Sequence, residues 1–329
     1  KRIAIAGAGH MARIRGQAFL TTGQAEICAV VSQHLETARV CAAELDCSLY
    51  GDDIRYLAEG RPDAVLIETP HKAQDEIAVW ALEEDLDLLI GGSLACSLAS
   101  GTQIAELAAQ RGRIVEAGYQ RRYDLAWEEI RRLVHSGVLG APIMAVSMAL
   151  WSPDPERWYY DQAASGGMPV THMSYCYLNA IRWIMGVPET VTAMANRKVE
   201  TGPGRVLEET CAACIGFENG AFASATASYA RPEGMDDAET RFVCSEGGIQ
   251  VHTDSITVFQ QGTAEIRSFK STCSPFIRQA QAFLQALENR EPANNPPEDA
   301  LLDLRIGAAI SLSAREKRTI FLRDGHRYD

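Results

Sequence analysis

Hydrophobic and polar positions in the first part of the chain alternate between two rhythms. Short, almost wholly apolar runs recur at Ile3–Ala6, "AEICAVVS" (25–32), "DAVLIETP" (63–70), "DLLIGG" (87–92) and "RIVEAGY" (113–119). Between them lie longer amphipathic stretches: "LETARVCAAEL" (35–45), "DEIAVWALEEDL" (75–86) and "SGTQIAELAAQRG" (100–112). Continuous apolar runs mark strands buried on both faces, and strands alternating with helices predict a doubly wound parallel sheet. Such sheets bind ligands outside the carboxyl ends of their strands. Here that edge comprises Gly7–Ala12, Ser32–His34, Thr69–His71, Gly91–Ser93 and Tyr119–Arg122.

From Tyr123 the rhythm changes. "DLAWEEIRRLVHSG" (124–137) is an amphipathic helix that stops at Gly137, and "APIMAVSMALW" opens a run of strands. "EETCAACIGFENGAFASATASYA" reads as a hairpin turning at Asn219-Gly220, and "RFVCSEGGIQVHT" and "SITVFQ" continue the sheet. One nearly all-apolar helix is expected at 171–185, and two more, 275–290 and 297–315, flank "EPANNPP". The whole predicts an α/β chain: a parallel-sheet domain over 1–120, then an α+β domain over 121–329 with a large, mainly antiparallel open sheet. The last helix, about 297–315, is expected to pack back on the first domain. The strand at 209–217 is small or apolar on both faces. Its second face is therefore assigned to another subunit, in a dimer or tetramer built sheet to sheet.

The turn after the first strand carries chemistry. Gly7-Ala8-Gly9-His10-Met11-Ala12 is GxGxxA, the spacing of a Rossmann dinucleotide site. Gly7 permits the tight turn, Gly9 lets backbone approach a pyrophosphate, and Ala12 lets the helix pack close on the strand. N–H groups at the helix start, near His10 and Met11, then face the phosphates. Thr69, Pro70, His71, Gly91 and Gly92 complete the cofactor edge. The second strand ends in Ser32-Gln33-His34, with no acid for the ribose hydroxyls of NAD. With Arg13 and Arg39 close in sequence, these residues lean towards NADP(H) within an NAD(P) site; a surface turn without cofactor preference is the alternative.

Composition narrows the field. Of 329 residues, 47% are hydrophobic and 22% charged, as in a globular protein, and the formal charge of −12 argues against nucleic-acid or anionic membrane partners. No apolar run is long enough to cross a membrane, and "KRIAIAGAGH" reaches its glycine turn too early for a signal peptide, so the expectation is cytoplasmic. Nine scattered cysteines suit reduced thiols; Cys211 and Cys214 form a CxxC on a strand, where they point to opposite faces, and no metal site is expected.

"GYQRRYDLAWEEIRRLVHSGVLGAP" (118–142), "RWIMGVPETV" (182–191) and "FENGAF" (217–222), following the glycine turn in this order, resemble the glucose–fructose oxidoreductase, inositol dehydrogenase and MocA family of NAD(P)-dependent oxidoreductases. The likeness spans nearly the whole chain. It implies hydride transfer between nicotinamide and a sugar, cyclitol or related small molecule. The family usually ends its fifth strand in Glu-Lys-Pro, where this chain has Gly91, Gly92 and Ser93. Its substrate helix typically carries Asp, then His, then Asp, where this chain has His172, Cys176 and Asn179. The histidine usual after the Thr-Pro turn is Gln74.

By this resemblance His172, Cys176 and Asn179 line the pocket, and on an α-helix they would share one face. His172 is assigned proton transfer, with a core hydrogen bond as the alternative. Cys176 is a nucleophile only beside a positive neighbour, and otherwise an inert thiol. Tyr175 lies one step round the helix. Gly92, Arg122, Trp158 and Asn179 are the expected substrate contacts. Three readings stay open: an oxidoreductase with non-standard acid–base residues, an NAD-assisted glycoside hydrolase or lyase, and a cofactor-binding protein without turnover.

Overall fold

Ile3, Ala4, Ile5 and Ala6 have no polar side to show solvent, and all four are buried in β1 (Arg2–Ala6) inside a six-stranded parallel sheet. The structure, a computed structural model, describes residues 1–322 except 152, 153, 155, 233, 234, 236, 237 and 270–272, and only the backbone of 174–176. After β1 come α1 (His10–Thr21), β2 (Glu26–Val31), α2 (Leu35–Glu44), β3 (Tyr50–Gly51), α3 (Arg55–Glu59) and β4 (Ala64–Ile67). They are followed by α4 (His71–Glu83), β5 (Asp87–Ile90), α5 (Leu98–Arg111) and β6 (Val115–Ala117). The strand order is β3-β2-β1-β4-β5-β6, all parallel, so this is a Rossmann sheet. The expected strand at 63–70 ends early, at Ile67, because Pro70 already caps α4.

Contacts divide the chain into two units, Lys1–Tyr123 with Cys273–Leu301, and Asp124–Thr272 with Leu302–Asp329. The return to the first unit is made by α9 (Pro275–Asn289) and the Asn-rich turn after it. Phe283 of α9 meets Phe19 of α1 edge to face at 6.2 Å. Asn295 grips the outer edge of β6: Ala117 N donates to its carbonyl at 3.0 Å and its Nδ2 donates to the Ala117 carbonyl at 3.1 Å. The last helix, α10 (Pro297–Glu316), begins in this returning segment, which ends at Leu301, and its Ile306, Ala309, Ile310 and Leu312 are buried in the core of the second unit.

That second unit is built on a nine-stranded mixed sheet. Its strands are β7 (Pro142–Leu150), β8 (Pro188–Asn196), β9 (Thr210–Phe217), β10 (Phe222–Ser228), β11 (Ala238–Cys244), β12 (Gly247–Val251), β13 (Ser255–Gln260), β14 (Thr263–Ser268) and β15 (Ile320–Phe321). The order is β14-β13-β12-β11-β7-β10-β9-β8-β15, antiparallel except for the parallel pair β7–β10. Gly220, at φ +82, turns the β9–β10 hairpin as Asn219-Gly220 predicts. One face of the sheet is covered by α6 (Leu125–His135), α8 (Asn179–Met185) and α10, around Trp127, Ile181, Phe242 and Ile310. On the other face Met194, Ala212 and Cys214 are exposed in the single chain. Among the described residues no helix is long and apolar enough to cross a membrane.

Candidate functional site

The glycine turn of the first unit has the shape a pyrophosphate needs. Gly7 sits at φ +106, and a Cβ there would lie 2.3 Å from the Glu68 carbonyl oxygen, so only glycine fits. At Gly9 a Cβ would meet nothing within 4 Å, which leaves the backbone open to a ligand. Ala12, in the first turn of α1, is fully buried. No side chain caps α1 and no acid stands in its first turn, so its leading N–H groups are offered outwards beside exposed His10. These residues fit a dinucleotide; bound there, it would supply or accept hydride.

The end of β2 is less accommodating to an extra phosphate. Ser32 Oγ is 3.0 Å from Thr37 Oγ1, while Gln33 and His34 are exposed. Arg13 Nε is 3.3 Å from Glu44, and Arg39 donates to both oxygens of Glu36 at 2.9 and 2.6 Å. Both guanidiniums counted towards NADP(H) are thus already engaged by carboxylates.

At the ends of β4 and β5 the chain departs most from its expected pattern. Thr69 and Pro70 lead into buried His71. Gln74 is fully buried and its Nε2 donates to the carbonyls of Ser93 (2.9 Å) and Leu94 (3.3 Å), pinning the loop that carries Gly91 and Gly92. Gly92 has φ +114, a conformation no lysine adopts without strain. A Cβ on Gly91 would fall 2.1 Å from the Glu68 carboxyl carbon. The space on β5 is filled by a carboxylate delivered from β4.

Glu68 belongs to a buried polar network that sequence reading missed. Arg15 Nε lies 2.6 Å from Glu68 Oε1, and Arg15 Nη2 donates to the Gly118 carbonyl at 2.7 Å. Arg15 also donates to Gln279, whose Nε2 donates to Glu116 at 2.8 Å; Tyr123 OH donates to the same Glu116 oxygen at 2.7 Å. Glu116 Oε2 has no hydrogen-bond partner among the described residues. Burial pushes Glu68 up to about 6 although Arg15 opposes it, and pushes Glu116 up to about 7 against its two hydrogen bonds. The clue was an acid closing an apolar strand, in "AVLIETP" and again in "IVEAGY".

In the second unit His172 lies in a π-helix, Pro169–Leu178, that runs into α8. Its backbone closes i→i+5 bonds, so the i, i+4, i+7 alignment of an α-helix does not hold here. His172 and Asn179 have separate surroundings. His172 is half-buried among rings: Trp151 at 5.1 Å, Tyr159 at 5.0 Å and Tyr229 at 5.3 Å between centroids. Its Nδ1 is 2.7 Å from Tyr229 OH. Asn179 is buried and donates from Nδ2 to Asp303 Oδ2 at 2.7 Å; Arg182 Nε donates to Asp303 Oδ1 at 2.7 Å.

Other expected residues fall as follows. The side chains of Tyr175 and Cys176 lie outside the described residues. Arg122 is buried, donates to the Asn294 carbonyl at 2.9 Å and pairs with Asp299, a brace within the first unit. Trp158 is half-buried, edge to face with Tyr159 at 5.5 Å. Cys211 is buried and Cys214 exposed, on opposite faces of β9, and the described residues contain no cluster of three metal-ligating side chains.

Comparison with known proteins agrees with this architecture. Residues 1–119 match the oxidoreductase family with an NAD-binding Rossmann fold, and residues 127–250 match the GFO/IDH/MocA C-terminal domain. The chain belongs to the GFO/IDH/MocA oxidoreductase family. It is 24% identical over 206 residues to D-glucoside 3-dehydrogenase of Escherichia coli (strain K12), which covers 61% of this chain and 59% of that protein. It is 22% identical over 333 residues to scyllo-inositol 2-dehydrogenase (NAD(+)) of Bacillus subtilis (strain 168), covering 95% and 94%. Levoglucosan dehydrogenase, solved with NADH and levoglucosan, shares the fold with a TM-score of 0.88 at 18% identity, over 98% of this chain and 99% of that one.

Proposed function

We propose that this chain transfers hydride between a nicotinamide cofactor and a hydroxyl or carbonyl carbon of a sugar, cyclitol or related polyol, with His172 moving the proton. The observation that carries this reading is the open GxGxxA cradle of the first unit; the second unit separately holds an imidazole among aromatic rings. The cradle fixes a dinucleotide through backbone, and His172 is an acid–base group near neutral pH. Trp151, Trp158 and Tyr159 offer ring surface to the apolar face of a cyclic polyol. The names of the relatives, D-glucoside, inositol and levoglucosan dehydrogenases, point to the same substrate class.

For the cofactor we propose NAD(H). The lean towards NADP(H) rested on Arg13 and Arg39, and their pairing with Glu44 and Glu36 removes its support. Titrating the protein with NADH and NADPH, read by nicotinamide fluorescence, should give the tighter binding to NADH; a clear preference for NADPH would reverse this assignment.

The test of the activity is a panel of D-glucosides and inositols, each with NAD+, followed by nicotinamide absorbance. Turnover on at least one is expected, with His172→Gln at least about tenfold slower. Cofactor binding without turnover on any member would favour a non-enzymatic role, and glycoside cleavage without net reduction of NAD+ would favour a hydrolase or lyase. We also propose that two copies pair through the exposed face of the nine-stranded sheet.

A further inference from the structure

The strand order β3-β2-β1-β4-β5-β6 reverses between β1 and β4. A dinucleotide lies across such a switch point, with one mononucleotide half on each side. Glu68 stands there. It follows Ile67 at the end of β4, and its N–H donates to the Ala6 carbonyl of β1 at 2.7 Å. Its carbonyl packs on Gly7, the first glycine of the cradle, and its carboxyl lies over Gly91, just past the end of β5. That carboxyl meets Arg15 Nε of α1 at 2.6 Å, with 6% of the Glu68 side chain and 3% of the Arg15 side chain exposed.

Arg15 sits in the second turn of α1 and reaches across to the other half of the sheet. Its Nη2 donates to the Gly118 carbonyl at 2.7 Å, and Gly118 N donates to the Gly92 carbonyl at 3.0 Å. Gly118 is wedged in place: a Cβ there would lie 2.4 Å from the Ile90 carbonyl oxygen and 2.7 Å from Gly92 N. The guanidinium stands 5.0 Å over the Phe276 ring and also donates to Gln279. Such a planar fork holds its acceptors at fixed angles, which a lysine ammonium does not.

We infer that Arg15 and Glu68 are positioning residues for the cofactor: their ion pair ties the helix whose N-terminus faces the pyrophosphate to the strand ends of the second mononucleotide half, so that both halves are bound in register. This rests on the reading of the first unit as an NAD(H) site. Both side chains act through backbone, Glu68 on Gly7 and Gly91, Arg15 on Gly118 and through it on Gly92. A buried ion pair adds little net stability, because desolvation offsets its attraction. Its effect here is on the relative placement of the two halves. The place of the carboxylate matters more than the strand that delivers it. Gly91, unlike Gly92, has no positive φ, so once Glu68 is cut back to alanine an aspartate at 91 fits its backbone and brings a carboxyl into the same space.

The test compares two ligands on the full-length protein by calorimetry. NADH engages both halves, whereas ADP carries only the adenosine half and the pyrophosphate. A ligand that binds in two parts loses affinity steeply when the parts fall out of register, so Glu68→Gln should weaken NADH at least about tenfold and leave ADP unchanged. The double variant Glu68→Ala with Gly91→Asp should recover most of the NADH affinity. Equal losses for both ligands would mean a merely structural pair and overturn the inference, as would no loss for either. The double variant decides alone should Glu68→Gln fail to fold; if it binds ADP but not NADH, or does not fold, the inference falls. Wild-type protein that binds neither ligand would instead remove the dinucleotide reading itself.

Discussion

A carboxylate lies where Gly91 has no side chain. Glu68, on the neighbouring strand, presses its carboxyl group over the Gly91 Cα and pairs there with Arg15. Gly91→Ala would drive a methyl into that buried pair. The expected outcome is a loss on the order of 3 kcal/mol in urea unfolding, the cost of breaking such a pair, together with weaker NADH binding. Gly92→Lys, which would restore the amine missing from the expected Glu-Lys-Pro, should not restore anything, because φ +114 penalises any side chain there. Glu116 gives a pH signature. Its carboxyl is raised to about 7 in the fold, so the stability it contributes is full below its ordinary value and lost as pH rises through neutrality. Thermal midpoints should therefore fall between pH 5 and 8, and Glu116→Gln should flatten that slope. The glycines were legible in the sequence because backbone shape depends on them directly. The replacement carboxylate was not, because strand neighbours in a parallel sheet are far apart in sequence.

The helix that carries His172 shows how residue type and register separate. Its polar residues stand out in the sequence against an apolar background. The shared face was inferred from an α-helical period, and ten residues of π-helix remove that period. Nothing in the local pattern marks the wider turn. As a result His172 meets aromatic rings, while Asn179 at the start of α8 donates to Asp303, to which Arg182 also donates. Asn179→Asp, which would recreate an acid of the family pattern, sets two carboxylates against each other in a buried site. One of them must take up a proton, so its folded pKa is raised and the deficit grows as pH rises. A loss on the order of 2–4 kcal/mol at neutral pH, relieved under acid conditions, is the expected result in thermal or urea unfolding.

The two sheets were legible as classes, because strand–helix alternation and hairpin signals are local. The exposed face of the second sheet is readable only with the register in hand. Thr192, Cys214, Ser224, Val146 and Arg241 form one row across five strands, and Met194, Ala212, Thr226, Met148 and Glu239 another. Their middles are small or apolar, as a sheet-to-sheet contact requires. Light scattering should find an oligomer, and Val146→Glu should shift it towards monomer while leaving circular dichroism unchanged. A monomeric wild type would defeat the sheet-to-sheet proposal.

The Rossmann unit is also discontinuous, and that has a consequence for how the protein is made. Its glycine turn and six strands leave the ribosome early, but Phe283 and Asn295, which cover Phe19 and the edge of β6, come more than a hundred residues later. At ordinary rates of synthesis the nascent first segment waits roughly ten to thirty-five seconds for them. Throughout that interval its apolar flank and an open strand edge stay uncovered, so the first segment made alone is expected to aggregate more readily than the full chain.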